Sequence, residues 1–301
     1  MENDAVPSAD ELLGAATAAD LARCLTRAGD EISAQQTRRC GAALGGLSFT
    51  ERVTLIRNAV LADLPADYPA FADVLRAALR NSDFTGWMIF PVTEAVAVRG
   101  LDAFEPALAL LAELTPRLTA ESAVRPFLRT DLERALQVMT AWTAHPDPHV
   151  RRLVSEGTRP RLPWAPRLPE LIADPTPALP LLDALYRDDS EYVRRSVANH
   201  LNDISRDHPD IAAGVAARWL SDPAPPTTRV VRHGLRTLIK SGHAGAADIP
   251  SSRSARGVTT RVPIWCGSTS TAGPTGKPRS RCTAEGDRAG VGPGRRGRRS
   301  S

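Results

Sequence analysis

The chain has 301 residues, 38 Lys/Arg against 34 Asp/Glu, and only 5 % aromatic residues. That length allows one large domain or two, and no apolar run approaches the ~20 residues that cross a bilayer. The opening MENDAVPSADELL is acidic and polar, unlike a secretory leader, so a cytoplasmic protein with no membrane partner is expected.

Ala, Leu and Arg dominate, and β-branched runs are few, which points to an all-α protein. The four cysteines (Cys24, Cys40, Cys266, Cys282) have no CxxC spacing and no histidine cluster beside them, so neither a zinc site nor a disulfide framework is expected. Cys24 and Cys40 fall in helical patterns and read as small core residues. Charge is unevenly spread. From Asp248 to Ser301 there are 11 Lys/Arg and 3 Asp/Glu, leaving 27 basic and 31 acidic side chains in residues 1–247. A nucleic-acid surface in the larger part must therefore come from where arginines are placed, not from their number.

In chain order, apolar positions at helical spacing predict helices over Asp10–Arg27, Ile32–Ala43, Thr50–Leu64, Ala70–Leu79, Thr93–Gly100 and Ala103–Leu114. The stretch GWMIFPVTEAVA (86–97) clusters Gly, Trp, Met and Phe before Pro91. It reads either as a tightly packed helix start or as a place where Trp87 borders a ligand groove.

An internal repeat follows. HPDPHVRRLVSEG (145–157), YRDDSEYVRRSVANHLNDIS (186–205) and a weaker DPAPPTTRVVRHGLRTLIKSG (222–242) align on Val150, Val193 and Val231, at spacings of 43 and 38 residues. Those spacings suit HEAT and armadillo repeats. Each copy opens on Asp or Pro turn residues that start a helix. Each is preceded by an apolar partner segment: LERALQVMTAWTA, PALPLLDALY and IAAGVAARWL. Such pairs bury their apolar faces only by stacking on neighbours, which predicts a HEAT-like helical solenoid.

The same alignment makes Arg152, Arg195 and His233 equivalent, and one turn later Glu156, Asn199 and Thr237. A further turn reaches Asp203 and Ser241. Arg195, Asn199 and Asp203 then share one stripe of one helix. Arginines flanking carboxylates suit a ligand anionic along its backbone and cationic at one point; four-residue Arg–Glu pairing on a solvated face is the plain alternative. Between the first two copies, Arg159, Arg161, Trp164 and Arg167 alternate with Pro160, Pro163, Pro166 and Pro169 in a stiffened connector. Trp164 there is placed either to stack on a base or to plug the core between repeats.

The segments SEGTRPRLPWA (155–165), VRRSVANHLNDISRDHPD (193–210) and TAESAVRPFL (119–128) resemble the AlkC branch of the HEAT-like DNA alkylation-repair proteins, related to AlkD. The resemblance covers roughly residues 5–245. It implies a DNA glycosylase acting on duplex DNA with bases made cationic by alkylation, chiefly N3-methyladenine and N3-methylcytosine. No phosphate-cradling glycine loop, metal cluster or nucleophile triad appears, so no cofactor and no metal are expected, and a monomer associated with the nucleoid when on DNA is expected. Asp203 is then the first candidate for catalysis, with Glu121 and Glu156 as supporting carboxylates. Trp164 would contact the lesion, and Arg125, Arg152, Arg159, Arg161 and Arg195 would hold the DNA backbone. A DNA-binding repeat protein without catalysis, or a protein scaffold, is the competing reading.

From residue 248 the composition turns to Ser, Gly, Thr, Pro and Arg without an apolar period, which predicts a disordered tail. It reads either as a phosphate-binding arm or as the frameshifted end of a GC-rich gene. Some members of the family carry a β-sandwich domain after the repeats, and this tail has no pattern for one.

Overall fold

The computed structural model describes residues 8–246. The basic segment from Asp248, with Cys266 and Cys282, lies outside the described residues, so the expectation of a disordered tail does too. Among the described residues, eight α-helices precede the repeats: α1 (Ala9–Leu12), α2 (Ala15–Ala28), α3 (Gln35–Cys40), α4 (Phe49–Asp63), α5 (Tyr68–Leu79), α6 (Ile89–Arg99), α7 (Phe104–Leu114) and α8 (Arg125–Thr130). Then come α9 (Leu132–Trp142), α10 (Pro148–Gly157), α11 (Pro169–Ala173), α12 (Leu179–Leu185), α13 (Glu191–Asp207), α14 (Pro209–Ser221), α15 (Thr227–Gly234) and α16 (Arg236–Ser241). No strand occurs among the described residues, and none of their helices is long and apolar enough to cross a membrane.

Helix starts follow side-chain chemistry. Ser48 opens α4 with a reciprocal pair: its hydroxyl accepts from Glu51 N–H, and Glu51 accepts from Ser48 N–H at 2.8 Å. Asp67, Asp131 and Asp147 cap α5, α9 and α10 through their carboxylates, each cap typically worth about 1 kcal/mol. At the N-terminus the expected continuous helix from Asp10 to Arg27 breaks at Leu13–Gly14 into α1 and α2. The helix expected from Ile32 begins at Gln35, after Ala34 at φ 47°, and tightens into a 3-10 turn over Gly41–Ala43.

The repeat architecture is two layers of helices. Within each C-terminal repeat α9 pairs with α10, α12 with α13, and α14 with α15, while α10, α13 and α15 pack successively on one another. Val150, Val193 and Val231 are all buried in that second layer. The same layering reaches the N-terminal half, where sequence repeats are faint: α2, α5 and α7 form one row, and α4 packs on α6 in the other. Cys24 and Cys40 are free thiols in the core. Trp87 leans half-buried on the core and meets Phe49 edge-on.

The third copy departs from the alignment. Its helix stops at Gly234, so Thr237 and Ser241 belong to a separate helix, α16, and do not continue the stripe of His233. Gly234 lies so close to α13 that a Cβ there would sit 2.8 Å from a Leu201 methyl.

Gly157 is a second place where two elements touch without side-chain room: a Cβ would come within 2.6 Å of Val124 Cγ2. Val is stiff about χ1 and cannot swing away freely. Gly157→Ala is therefore expected to lose about 1–3 kcal/mol by overpacking, despite alanine's better helix propensity. The urea midpoint checks it, and an unchanged or raised midpoint would contradict the close approach.

Candidate active site

Three carboxylates from three separate segments meet in one row, held together by two arginines. Glu121 lies in the turn before α8, Glu156 in the last turn of α10, and Asp203 about one turn before the end of α13. Arg152 reaches Glu121 at 3.2 Å and Glu156 at 3.6 Å. Arg159 reaches Glu156 at 2.6 Å and Asp203 at 2.8 Å. The order Glu121–Arg152–Glu156–Arg159–Asp203 alternates in sign and contains one carboxylate more than it has guanidiniums.

The row is graded in depth. Asp203 is 2 % exposed and Glu156 is buried, whereas the Glu121 and Arg152 side chains keep partial access to solvent. Burial would push the Glu156 carboxyl up, but Arg152, Arg159 and a hydrogen bond from Ser196 at 2.7 Å bring it below the ordinary glutamate range. Glu121 goes the other way: burial raises it, against the charge of Arg152. Two neighbouring carboxyls are thus shifted in opposite directions.

Behind the row, the Ser155 hydroxyl lies 2.7 Å from that of Ser196, and His200 Nδ1 lies 3.0 Å from the Ser155 carbonyl. A carbonyl only accepts, so Nδ1 carries the hydrogen and Nε2 presents a lone pair, which has no hydrogen-bond partner. Burial, foremost, pushes His200 from 6.5 down to about 3. The folded state therefore binds fewer protons at this site than the unfolded chain between those two values, and its stability contribution is lost as pH falls through that window. Stability should drop by about 2 kcal/mol between pH 7 and pH 5 from this group alone. Denaturant titrations of the unmodified chain and His200→Gln check it: the variant's stability should depend less on pH across the window, and parallel curves would contradict the assignment.

The connector after α10 is pinned from below. Arg125 accepts no role at the surface: it is fully buried, and its guanidinium donates to the carbonyls of Gly157 (2.8 Å), Arg159 (2.9 Å) and Pro166. This corrects the expectation that Arg125 holds DNA. Its charge instead ties both ends of the connector to α8. Arg159 is likewise turned inward between its two carboxylates rather than offered to a phosphate, and Arg161 pairs with Asp207 at 2.9 Å. Arg195 is exposed on α13. His233 crosses to Asn199 at 2.9 Å, so the expected polar rows interlock between helices.

Trp164 does not plug the core. It is 85 % exposed and sits at φ 61°, in the left-handed region that a bulky residue rarely occupies. Such strain persists only where the surroundings impose it, and it gathers at functional sites. Its ring centroid lies 6.4 Å from that of Phe49.

Sequence reasoning missed Tyr192, Ser196 and His200. Tyr192, 42 % exposed, lies one turn before Ser196, and its ring centroid is 4.7 Å from the Arg152 guanidinium carbon. An aromatic in the polar first turn of α13 was the available signal; Ser196 and His200 carried none beyond falling on the helix's inward face. No group of metal-binding side chains occurs among the described residues.

No protein-family model matches the sequence. Among solved structures, the chain is similar to the Pseudomonas fluorescens alkylpurine DNA glycosylase AlkC bound to DNA containing an abasic site analog, with 38 % identity and a TM-score of 0.72 over 80 % of this chain and 67 % of that one. The chain belongs to the AlkC-like family. In sequence, the chain is also similar to the uncharacterized protein YhaZ of Bacillus subtilis (strain 168), 40 % identical over 196 residues. That match takes in 65 % of this AlkC-like chain, which spans about half (54 %) of the length of YhaZ.

Proposed function

We propose that the chain is a DNA glycosylase of base-excision repair that hydrolyses the N-glycosidic bond of cationic alkylated bases in duplex DNA, N3-methyladenine and N3-methylcytosine among them. We extend its kinship to AlkD. The observation that carries this reading is the row Glu121–Arg152–Glu156–Arg159–Asp203, set in a fold that a DNA-bound glycosylase shares.

The chemistry needs little acid catalysis. An alkylated base already bears positive charge, so it leaves with the bonding electrons of the C–N bond and becomes neutral. What remains is a sugar with oxocarbenium character, to which water adds through oxygen while its proton passes to a carboxylate or solvent. Asp203 and Glu156 supply fixed negative charge in a water-poor interior, where such charge acts most strongly. Glu121, the more accessible carboxyl, is placed to orient the water. Trp164 offers an indole face to the lesion or its sugar. Arg195 and Arg161 are the arginines of the set with most access to a phosphate, and Arg152 is partly accessible beneath Tyr192.

Incubating the chain with a methylated duplex and measuring free base by chromatography tests the reading. Release of 3-methyladenine is expected. Duplex binding without release would favour a non-catalytic DNA-binding repeat, and neither binding nor release would favour a scaffold.

A further inference from the structure

A cleft of about 480 Å³ opens beside the row and shares with the chemistry above only Trp164. Phe49, Phe90 and Trp164 wall it, and Glu94, Arg57 and Ser122 supply its polar groups. The aromatic wall is built as a unit: the Phe49 ring centroid lies 5.6 Å from that of Phe90 at an interplanar angle of 66°, and 6.4 Å from that of Trp164 at 45°. Trp164 is the strained, water-exposed indole described above, and the cleft gives a reason to hold it out: there it completes the third aromatic side of a hollow. Clefts of some hundreds of Å³, mostly apolar with a few polar groups, are the usual shape of small-molecule sites.

Glu94 breaks the apolar pattern. It is half-buried on α6, and its Oε1 has no hydrogen-bond partner. Burial, above all, holds its carboxyl above the usual range, against a hydrogen bond from Ser122 and the charge of Arg57. An unpaired buried acceptor is costly to fold around, and natural proteins keep few of them. An incoming N–H donor that draws the carboxyl round would satisfy it.

Position adds the source of the ligand. Ser122 lines the cleft, and Glu121, its neighbour in the chain, ends the carboxylate row. Consecutive Cα atoms lie about 3.8 Å apart, so the two sites meet at one turn. The base leaving the sugar becomes a neutral, planar heterocycle carrying an amino group. We propose that this cleft is a product site, which holds the free alkylated purine between its aromatic walls with the amino group donating to Glu94. The proposal rests on the glycosylase reading only for where the base comes from; the capacity of the cleft for a heterocycle stands or falls by itself.

The experiment uses the full chain and free 3-methyladenine, without DNA, followed by calorimetric titration or ligand-observed NMR. Saturable binding is expected. Glu94→Gln should weaken it at least tenfold, and so should Thr54→Trp, which fills the cleft from α4 and leaves Glu94 in place. Added free base should also slow base release from methylated duplex by the unmodified chain, and at least tenfold more free base should be needed for the same slowing in Glu94→Gln. No saturable binding overturns the proposal, as does binding that survives both substitutions or that is lost on Asp203→Asn alone, which would put the base at the row. Binding in a chain that releases no base would sink the glycosylase reading and leave the heterocycle site standing.

Discussion

Asp203→Asn is expected to slow base release from methylated duplex at least about a hundredfold while leaving duplex affinity nearly unchanged. Asn keeps the size of the side chain and an oxygen to accept from Arg159 Nε, now 2.8 Å from the carboxylate. What it removes is one unit of negative charge in a buried setting. Single electrostatic contacts to charge that develops only in a transition state are worth roughly 3–4 kcal/mol, and each 1.36 kcal/mol is about a factor of ten in rate. The effect should appear in single-turnover release and not in binding, because Asp203 is buried and paired with Arg159 and makes no attractive contact with the DNA backbone. Release at the unmodified rate would remove Asp203 from the chemistry.

Arg159→Met should have the largest effect on stability. The substitution leaves Asp203 without its ion-pair partner and Glu156 with one partner fewer, both in the interior. Breaking a buried pair from one side costs about 3–5 kcal/mol, since the remaining charge stays desolvated and uncompensated. At about 2–4 °C per kcal/mol for a domain of this size, Tm should fall by roughly 10 °C. The sign of the pH dependence distinguishes this from lost packing. Protonating the stranded carboxyls removes the buried charge, so the deficit against the unmodified chain should shrink as pH falls from 8 to 5. A deficit constant across that range would mean that Arg159 matters for its methylenes and not its charge.

Much of this architecture was legible in the residues. The alignment on Val150, Val193 and Val231 picked out the second-layer positions of three successive repeats, because burial at helical spacing is a local signal. The break at Leu235 was not legible. TTRVVRHGLRTLIKS reads as one amphipathic run, whereas the helix ends at Gly234, where the backbone lies against Leu201 of another helix, and a new helix starts at Arg236. Of the site, Glu121, Glu156 and Asp203 were singled out through the family resemblance, and the structure brings them into one row; the repeat alignment, which relates Glu156 to Asn199 and Asp203 to Ser241, says nothing of the arginines that join them. Arg125 shows the limit most clearly. An arginine between Val124 and Pro126 reads as a charge turned to the surface, and only the folded chain brings it to carbonyls 32 to 41 positions away. Trp164 poses the same difficulty in reverse. An indole among prolines reads equally well as a plug or a platform, and its strained backbone and its place beside Phe49 are tertiary facts.

In the proposed reaction the row of carboxylates stabilises positive charge on the sugar. Relative affinity for two abasic duplexes measures this most directly, one carrying a neutral tetrahydrofuran and the other a pyrrolidine whose protonated ring nitrogen replaces C1′. Groups complementary to a transition state bind its charged mimic more tightly than an uncharged one. The cationic duplex should bind at least about tenfold more tightly to the unmodified chain, with most of that preference lost in Asp203→Asn. Equal affinity for both duplexes, or a preference that Asp203→Asn leaves intact, would contradict the account.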